Sequence, residues 1–352
     1  MARAMPQHTT GTGLLQRFFR QSIAVDAGTA NTLIYTDDGG IVLNQPSVVC
    51  FEKSSSTQPQ RRIAAVGDEA KQMLGRAPGT LEAVRPVRAG VIANFSAAEH
   101  MIREFVEMSK VRPLFGRAEF TICVPAGATE VERRAIREAA AAAGASKVNL
   151  IGESLASAVG AGLPVSSATG SMVVDIGGGT TEVGVISLGG LAYSASVRVG
   201  GDQFDLAIVN YVRSLYGVQL GEQTAEHVKK VIGSALLDVP VERMHATGRS
   251  VADGLPRTVE LTNHDVTEAI AVPLRQVIEA VKAGLELAPP ELVTDIAHHG
   301  VTLTGGGALL GQLDRCLQNE IGIDVRIADE PLTCAVRGAG MAASVLDAYA
   351  FE

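Results

Sequence analysis

The chain has 352 residues, 46% hydrophobic and 19% charged, with 30 basic against 38 acidic side chains and a net charge of −8. That length is a prior of about two domains and excludes a disordered chain, and the acidic balance excludes a general nucleic-acid binder, which needs clustered cations. Aromatic residues are 4% and tryptophan is absent, which leaves little for base-stacking platforms. Residues 1–13 read as a disordered tail. At 14–21 an amphipathic segment follows, with Leu14, Leu15, Phe18 and Phe19 inside about 140° of arc and Arg17 and Arg20 on the other face. Short β-branched runs predict strands at 22–26, 32–36, 47–51, 119–124, 171–175, 182–187, 191–197, 301–304 and 324–327. Helical patterns run over 97–110, 130–143, 205–216, 222–232 and 265–287, with a possible kink at Pro273. Ser96-x-x-Glu99 and Thr129-x-x-Glu132 read as capping boxes for the first two. The polar insertion 53–62 reads as a loop in a small subdomain. Paired strands alternating with helices make this an α/β chain of mixed sheets.

No leader-type apolar region and no spanning apolar run occurs, so the expected location is the cytoplasm. Cys50, Cys123, Cys316 and Cys334 fall into no C-x-x-C or zinc spacing. His298-His299 has no third ligand at metal spacing and reads as a surface helix end. Gly152-Glu153-Ser154-Leu155-Ala156 lacks the final glycine of a nucleophile elbow. No P-loop and no dinucleotide-binding fingerprint is present.

One internal repeat carries chemistry. Ser22-x-x-Val25-Asp26-x-Gly28-Thr29-x-x-Thr32 aligns with Ser171-x-x-Val174-Asp175-x-Gly177-Gly178-x-x-Thr181 at an offset of 149 residues. Each copy is an apolar strand ending in Asp, then a Gly/Thr turn, then a second strand. Such turns offer unobstructed N–H groups to phosphate oxygens, and carboxylates facing each other across phosphates suit a hydrated Mg²⁺. Two Gly-rich hairpins held only by local bonds are the competing reading. A third run, Thr304-Gly305-Gly306-Gly307-Ala308, follows a strand and fits close approach of a ligand.

These residues resemble a known group. Asp26-Ala27-Gly28-Thr29-Ala30-Asn31-Thr32, Val174 to Glu182 and Leu303 to Gly307 look like the two phosphate motifs and the adenosine motif of the actin-like ATPase superfamily. Val124-Pro125-x-Gly127-Ala128-Thr129-x-Val131-Glu132-Arg133-Arg134 and Pro289-Pro290-Glu291-Leu292 narrow the likeness to its MreB family of bacterial actins, from about Ser22 to the end of the chain. The resemblance implies two similar lobes, each with a large and a small subdomain, around a cleft for ATP and Mg²⁺. The first lobe would hold 22–167 and 328–352, with its small subdomain at about 52–87. The second would hold 168–327, with its small subdomain at about 204–266.

By the same resemblance Thr29, Ala30, Asn31, Gly177, Gly178 and Gly179 meet the phosphates. Asp26 and Asp175 order the water shell of Mg²⁺, with no direct metal ligand. Ala225, Glu226, His227, Val228 and Lys229 cover the adenosine, and Gly305, Gly306, Gly307 and Ala308 pass beneath it. The family's water-activating Glu precedes the first Thr of the Gly-Gly-Gly-Thr-Thr run by 27 residues, which falls on Glu153, with Thr180 as its helper. The family run Glu-Glu-Pro-Met-Ala-Ala-Ala is here Gly152-Glu153-Ser154-Leu155-Ala156-Ser157-Ala158, which marks a divergent paralogue. His227 stands where the family usually has Arg. The implied function is a filament-forming cytoskeletal protein that polymerises with itself and organises cell-wall synthesis and rod shape. It would work at the inner face of the cell membrane with wall-elongation membrane proteins, and ATP hydrolysis would drive its filament dynamics. Leu14, Leu15, Phe18 and Phe19, with Leu114 and Phe115, would touch the membrane. A sugar or small-metabolite kinase of the same superfamily is the alternative, but no substrate-binding constellation stands beyond the phosphate loops. A peptide-binding chaperone would need a further domain.

Overall fold

The computed structural model describes residues 21–53, 62–111 and 118–344. Strands β1 (Gln21–Ala27), β2 (Asn31–Thr36) and β3 (Gly40–Pro46) form an antiparallel meander. Beyond them lies a small sheet of β4 (Val49–Glu52), β5 (Ile63–Val66) and β6 (Leu81–Val84), with helix α1 (Gly67–Met73) against it. A two-stranded hairpin, β7 (Val87–Arg88) and β8 (Val91–Ile92), leads into α2 (Phe95–Met108). Strands β9 (Ala118–Val124) and β10 (Ala145–Gly152), joined by α3 (Glu130–Ala142), extend the first sheet in parallel to the order β10-β9-β1-β2-β3. Helix α4 (Glu153–Gly160) then crosses to the second half.

The second half repeats the plan. β11 (Ser171–Ile176), β12 (Thr181–Ser187) and β13 (Gly190–Val197) form the meander. Next come α5 (Gly201–Tyr216), β14 (Val218–Gln219), α6 (Glu222–Ile232), β15 (Arg243–Ser250), β16 (Pro256–Thr262), α7 (Asn263–Leu287) and α8 (Pro290–His299). The small sheet β14-β15-β16 is the counterpart of the first. β17 (Val301–Thr304), α9 (Leu313–Ile321) and β18 (Val325–Ile327) complete the order β13-β12-β11-β17-β18, with β17 and β18 parallel to β11. Helix α10 (Cys334–Ser344) ends the described chain. Two sheets with the same order and directions, each bearing a small sheet, make an actin-like fold of two similar lobes.

Strand alternation sets the layers. Ile23 and Val25 pack into an outer core with Phe105, Phe120 and Leu150, while Ala24, between them, packs with α4 and α10. On β11, Met172, Val174 and Ile176 face the second outer core, and Val173 faces α4 and α10. That helix pair therefore lies between the two sheets, in a layer rich in Ala and Gly. Its helices cross without side chains between them. A Cβ at Gly338 would stand 1.8 Å from the Ala156 carbonyl oxygen, and one at Gly160 would stand 1.9 Å from that of Cys334.

Helix starts follow side-chain caps. The Thr129–Glu132 box on α3 is complete in both directions. Helix α2 is capped by Asn94, whose side chain accepts the Ala97 N–H at 3.1 Å, so Ser96 lies inside the helix and does not start it. Helix α7 starts two residues before the expected Asp265, because Thr262 and Asp265 form a capping box there, and it continues through Pro273. Helix α5 starts at Gly201, four residues before the expected boundary. The loop 54–61 of the polar insertion, Leu114 with Phe115, and Leu14, Leu15, Phe18 and Phe19 lie outside the described residues. Among the described residues no helix is long and apolar enough to cross a membrane.

Candidate functional site

The two hairpins of the repeat meet tip to tip. A Cβ at Gly178 would come within 2.7 Å of the Ala30 Cβ, and one at Gly179 within 2.4 Å of Thr29 Oγ1. The β7–β8 hairpin seals this contact. Its turn residues Ala89 and Gly90 have φ of 48° and 75°, the left-handed pair that a tight two-residue turn requires. Gly90 N–H donates to Thr29 Oγ1 at 3.0 Å, and a Cβ at Gly90 would clash with Thr180 Cγ2 at 2.7 Å. From the other side Gly201 and Asp202, at the start of α5, donate N–H groups to the Gly177 and Gly178 carbonyls at 3.0 and 2.8 Å. Gly305, with φ of 78°, lies beneath: a Cβ there would come within 2.5 Å of the Ile176 carbonyl oxygen. A cavity of about 420 Å³ opens over these turns, within the usual range for small-ligand sites.

Asp26 shares its strand face with Ala24, and Asp175 shares its face with Val173, so both carboxylates project into the space between the sheets. Burial, with the Asp175 charge added, pushes Asp26 up to about 7. Burial also raises Asp175, against hydrogen bonds from Ser157 and Thr304 that lower it. Glu153, at the first position of α4, lies well above the usual carboxylate range, from burial first and then from Asp175, Asp26 and Glu182. Glu182, on β12, is raised to about 7 by burial, although the Ser196 hydroxyl and the Ala126 N–H donate to it. Asp26, Glu153 and Asp175 thus line one end of the cavity, the first two half-buried, while Glu182 is buried on β12 outside the lining.

The mouth of the cavity is bridged by ions. Lys71 of α1 pairs with Glu226 of α6 at 2.8 Å, and Arg85 pairs with Asp202 at 3.1 Å. Gln223 Nε2 donates to the Lys71 carbonyl at 2.7 Å. Lys71 and Lys230 hold Glu226 down at about 2, against the effect of its burial. Lys229 pairs with Asp205 at 2.8 Å and donates to the Gly201 carbonyl at 2.9 Å.

The sequence profile of the MreB/Mbl protein family matches residues 20–350. The chain belongs to the MreB/Mbl family. It is 52% identical over 343 residues to the cell shape-determining protein MreB of Escherichia coli K12, covering 96% of this chain and 98% of that one. It is 41% identical to the cell shape-determining protein Mbl of Bacillus subtilis, covering 94% of this chain and 97% of that one. The crystal structure of MreB5 of Spiroplasma citri bound to AMPPNP superposes with a TM-score of 0.87 at 32% identity, over 93% of this chain and 97% of that one.

Of the residues expected from the MreB resemblance, Asp26, Thr29, Ala30, Asn31, Glu153, Asp175, Gly177, Gly178, Gly179, Thr180, Glu226, Lys229, Gly305, Gly306 and Gly307 line the cavity. Four do not. Ala225 and Val228 are fully buried in the second outer core, because helical periodicity turns them inward while Glu226, Lys229 and Lys230 face the cleft. Ala308 is buried in the same core, and His227 points to solvent. The sequence reading passed over Lys71, Arg85, Asp202, Ala89, Gly90, Ser157 and Glu182. Glu182 carries a signal in hindsight, as the one ionisable residue in a strand of otherwise apolar and small residues. The pairs at the mouth carry none, since they join segments about 120 to 155 residues apart.

Proposed function

We propose that this chain is a filament-forming cytoskeletal ATPase of the MreB/Mbl type. It binds ATP in the cleft between its lobes and assembles with copies of itself. The filaments organise cell-wall synthesis and rod shape at the inner face of the cell membrane, in contact with wall-elongation membrane proteins. The observation that carries the reading is the meeting of the two duplicated hairpin tips beside the carboxylates of Asp26 and Asp175, which line the same cavity. The names of the Escherichia coli and Bacillus subtilis relatives support the cellular role, and the AMPPNP complex of the Spiroplasma protein supports the ligand. The lobes are taken as 22–167 with 328–352, and 168–327.

In this reading Thr29, Ala30 and Asn31 contact the phosphates from one side and Gly177, Gly178 and Gly179 from the other, where the Gly177 N–H holds the turn by donating to the Thr180 carbonyl at 2.9 Å and the absence of side chains lets a phosphate come close. Glu226 and Lys229 flank the nucleoside, and Gly305, Gly306 and Gly307 pass under it. The donor set fits a hydrated Mg²⁺, because the acidic groups that line the cavity, Asp26, Glu153 and Asp175, are all oxygen donors. Asp26 and Asp175 would hold it through water, and it would supply charge neutralisation to the phosphates. Glu153 orients a water and accepts its proton, with Thr180 helping to place it. Residues 14–21 with Leu114 and Phe115 make the membrane contact.

Asp175→Ala tests the site. The variant is expected to lose Mg²⁺-dependent ATP binding and ATP-dependent sedimentation while its far-ultraviolet circular dichroism is kept. Affinity and assembly equal to those of the unaltered protein would overturn the reading.

A further inference from the structure

Asp175 is 3% exposed, and its two oxygens have different surroundings. Oδ2 accepts the Ser157 hydroxyl at 2.5 Å and the Thr304 hydroxyl at 2.7 Å. Oδ1 lies beside Gly305, where a Cβ would come within 2.7 Å of it. The glycine therefore leaves Oδ1 open on the cavity side. Ser157 and Thr304 are both fully buried, at 0% exposure. Ser157 stands on α4 four residues after Glu153, one helical turn on and on the same face.

We propose that Ser157 is a positioning residue for the cation end of the cleft. With Thr304 it pins Oδ2, fixes the side-chain rotamer of Asp175 and turns Oδ1 towards the water shell of a divalent cation. The inference rests on the nucleotide-cleft reading above. Two donors on one oxygen also favour the ionised carboxylate, the form that attracts a cation. They act against crowded surroundings. Asp26 on β1, Glu153 on α4, Glu182 on β12, Cys123 on β9 and Cys334 on α10 all face Asp175, and each is negative when ionised. Thr304 approaches from β17 and Ser157 from the helix between the sheets, so the carboxylate is held from two independent elements.

The test is Ser157→Ala in the full chain, which removes only the hydroxyl and adds no bulk. Binding of a fluorescent ATP analogue is followed against Mg²⁺ concentration, and thermal unfolding without nucleotide or Mg²⁺ is followed from pH 5 to pH 8. The Mg²⁺ midpoint is expected to rise about tenfold, the lower end for loss of an outer-shell partner, with metal-free analogue affinity unchanged. Loss of a donor raises the Asp175 pKa further. A raised folded-state pKa contributes stability that is lost as pH rises, so the apo variant should lose unfolding temperature more steeply towards pH 8 than the unaltered protein. Thr304→Val should act in the same direction. An unchanged midpoint and pH slope in Ser157→Ala, or a uniform drop in unfolding temperature with an unchanged midpoint, would overturn the positioning role and leave the cleft reading standing. No Mg²⁺-dependent binding in the unaltered protein would overturn both.

Discussion

Gly338→Ala should be among the most damaging single-methyl changes in this chain. The added Cβ would stand 1.8 Å from the Ala156 oxygen and 2.7 Å from both the Ala156 carbonyl carbon and the Gly160 nitrogen. All three are backbone atoms, so no rotamer change relieves the clash. Ordinary contact begins at 3.4 Å, so α4 and α10 would have to part by about 1.6 Å. Parting them also loosens the Ala156, Ala335 and Ala339 contacts that fill the layer between the sheets. The upper end of overpacking penalties applies, about 3 kcal/mol. For a chain of 352 residues that is a fall in unfolding temperature of about 4 °C. Urea unfolding with matched m-values measures it directly. Gly79→Ala serves as the control, since nothing lies within 4 Å of the added carbon, and it should be neutral or slightly stabilising. A loss below about 1 kcal/mol in Gly338→Ala would mean that the helices separate freely, and the argument from the crossing would be wrong.

Glu153→Gln should keep nucleotide affinity and slow phosphate release on the order of 10²-fold; an unchanged single-turnover rate would remove Glu153 from the proton-accepting role. Folded Asp26 and Glu182 both stand at about 7, above ordinary values of 3.8 and 4.5. Their contribution to stability is therefore complete below about pH 4 and lost as pH rises through about 7, so the nucleotide-free protein should show a lower urea midpoint at pH 8 than at pH 5. A flat or rising midpoint would contradict this. Changing Leu14, Leu15, Phe18 and Phe19 together to Ser should abolish co-sedimentation with anionic liposomes and leave thermal stability unchanged; the opposite pair of results would assign the segment to the core.

The sequence made the hairpins legible because their chemistry is local. A strand, an Asp and a glycine turn are contiguous, and the repeat at 149 residues signals the second copy. The Thr129 cap was legible for the same reason. What escaped depends on long-range packing. The run from Cys334 to Ser344 is rich in Ala and Gly, and among the described residues its outward face carries only Arg337 and Met341, so the contrast between its faces is too slight to read. β15 and β16 alternate too weakly to read, with several exposed side chains on each. The β7–β8 hairpin has strands of two residues each, below the length at which alternation can be seen. Ala225 and Val228 were expected at the nucleoside because a motif was carried over as a block, whereas a helix gives only part of any block to one side.

The contact between the hairpin tips has an evolutionary consequence. Ala30 and Gly178 meet so closely that there is room for one methyl group between them. The two positions are not equivalent, since a Cβ at 178 would also stand 3.0 Å from the Ala30 backbone nitrogen. Adding a methyl at position 178 should be harmful alone and partly relieved when Ala30 becomes Gly, so a change at 178 should be found with one at 30. The two halves are therefore mutually dependent at this point, and neither tip can be changed without regard to the other.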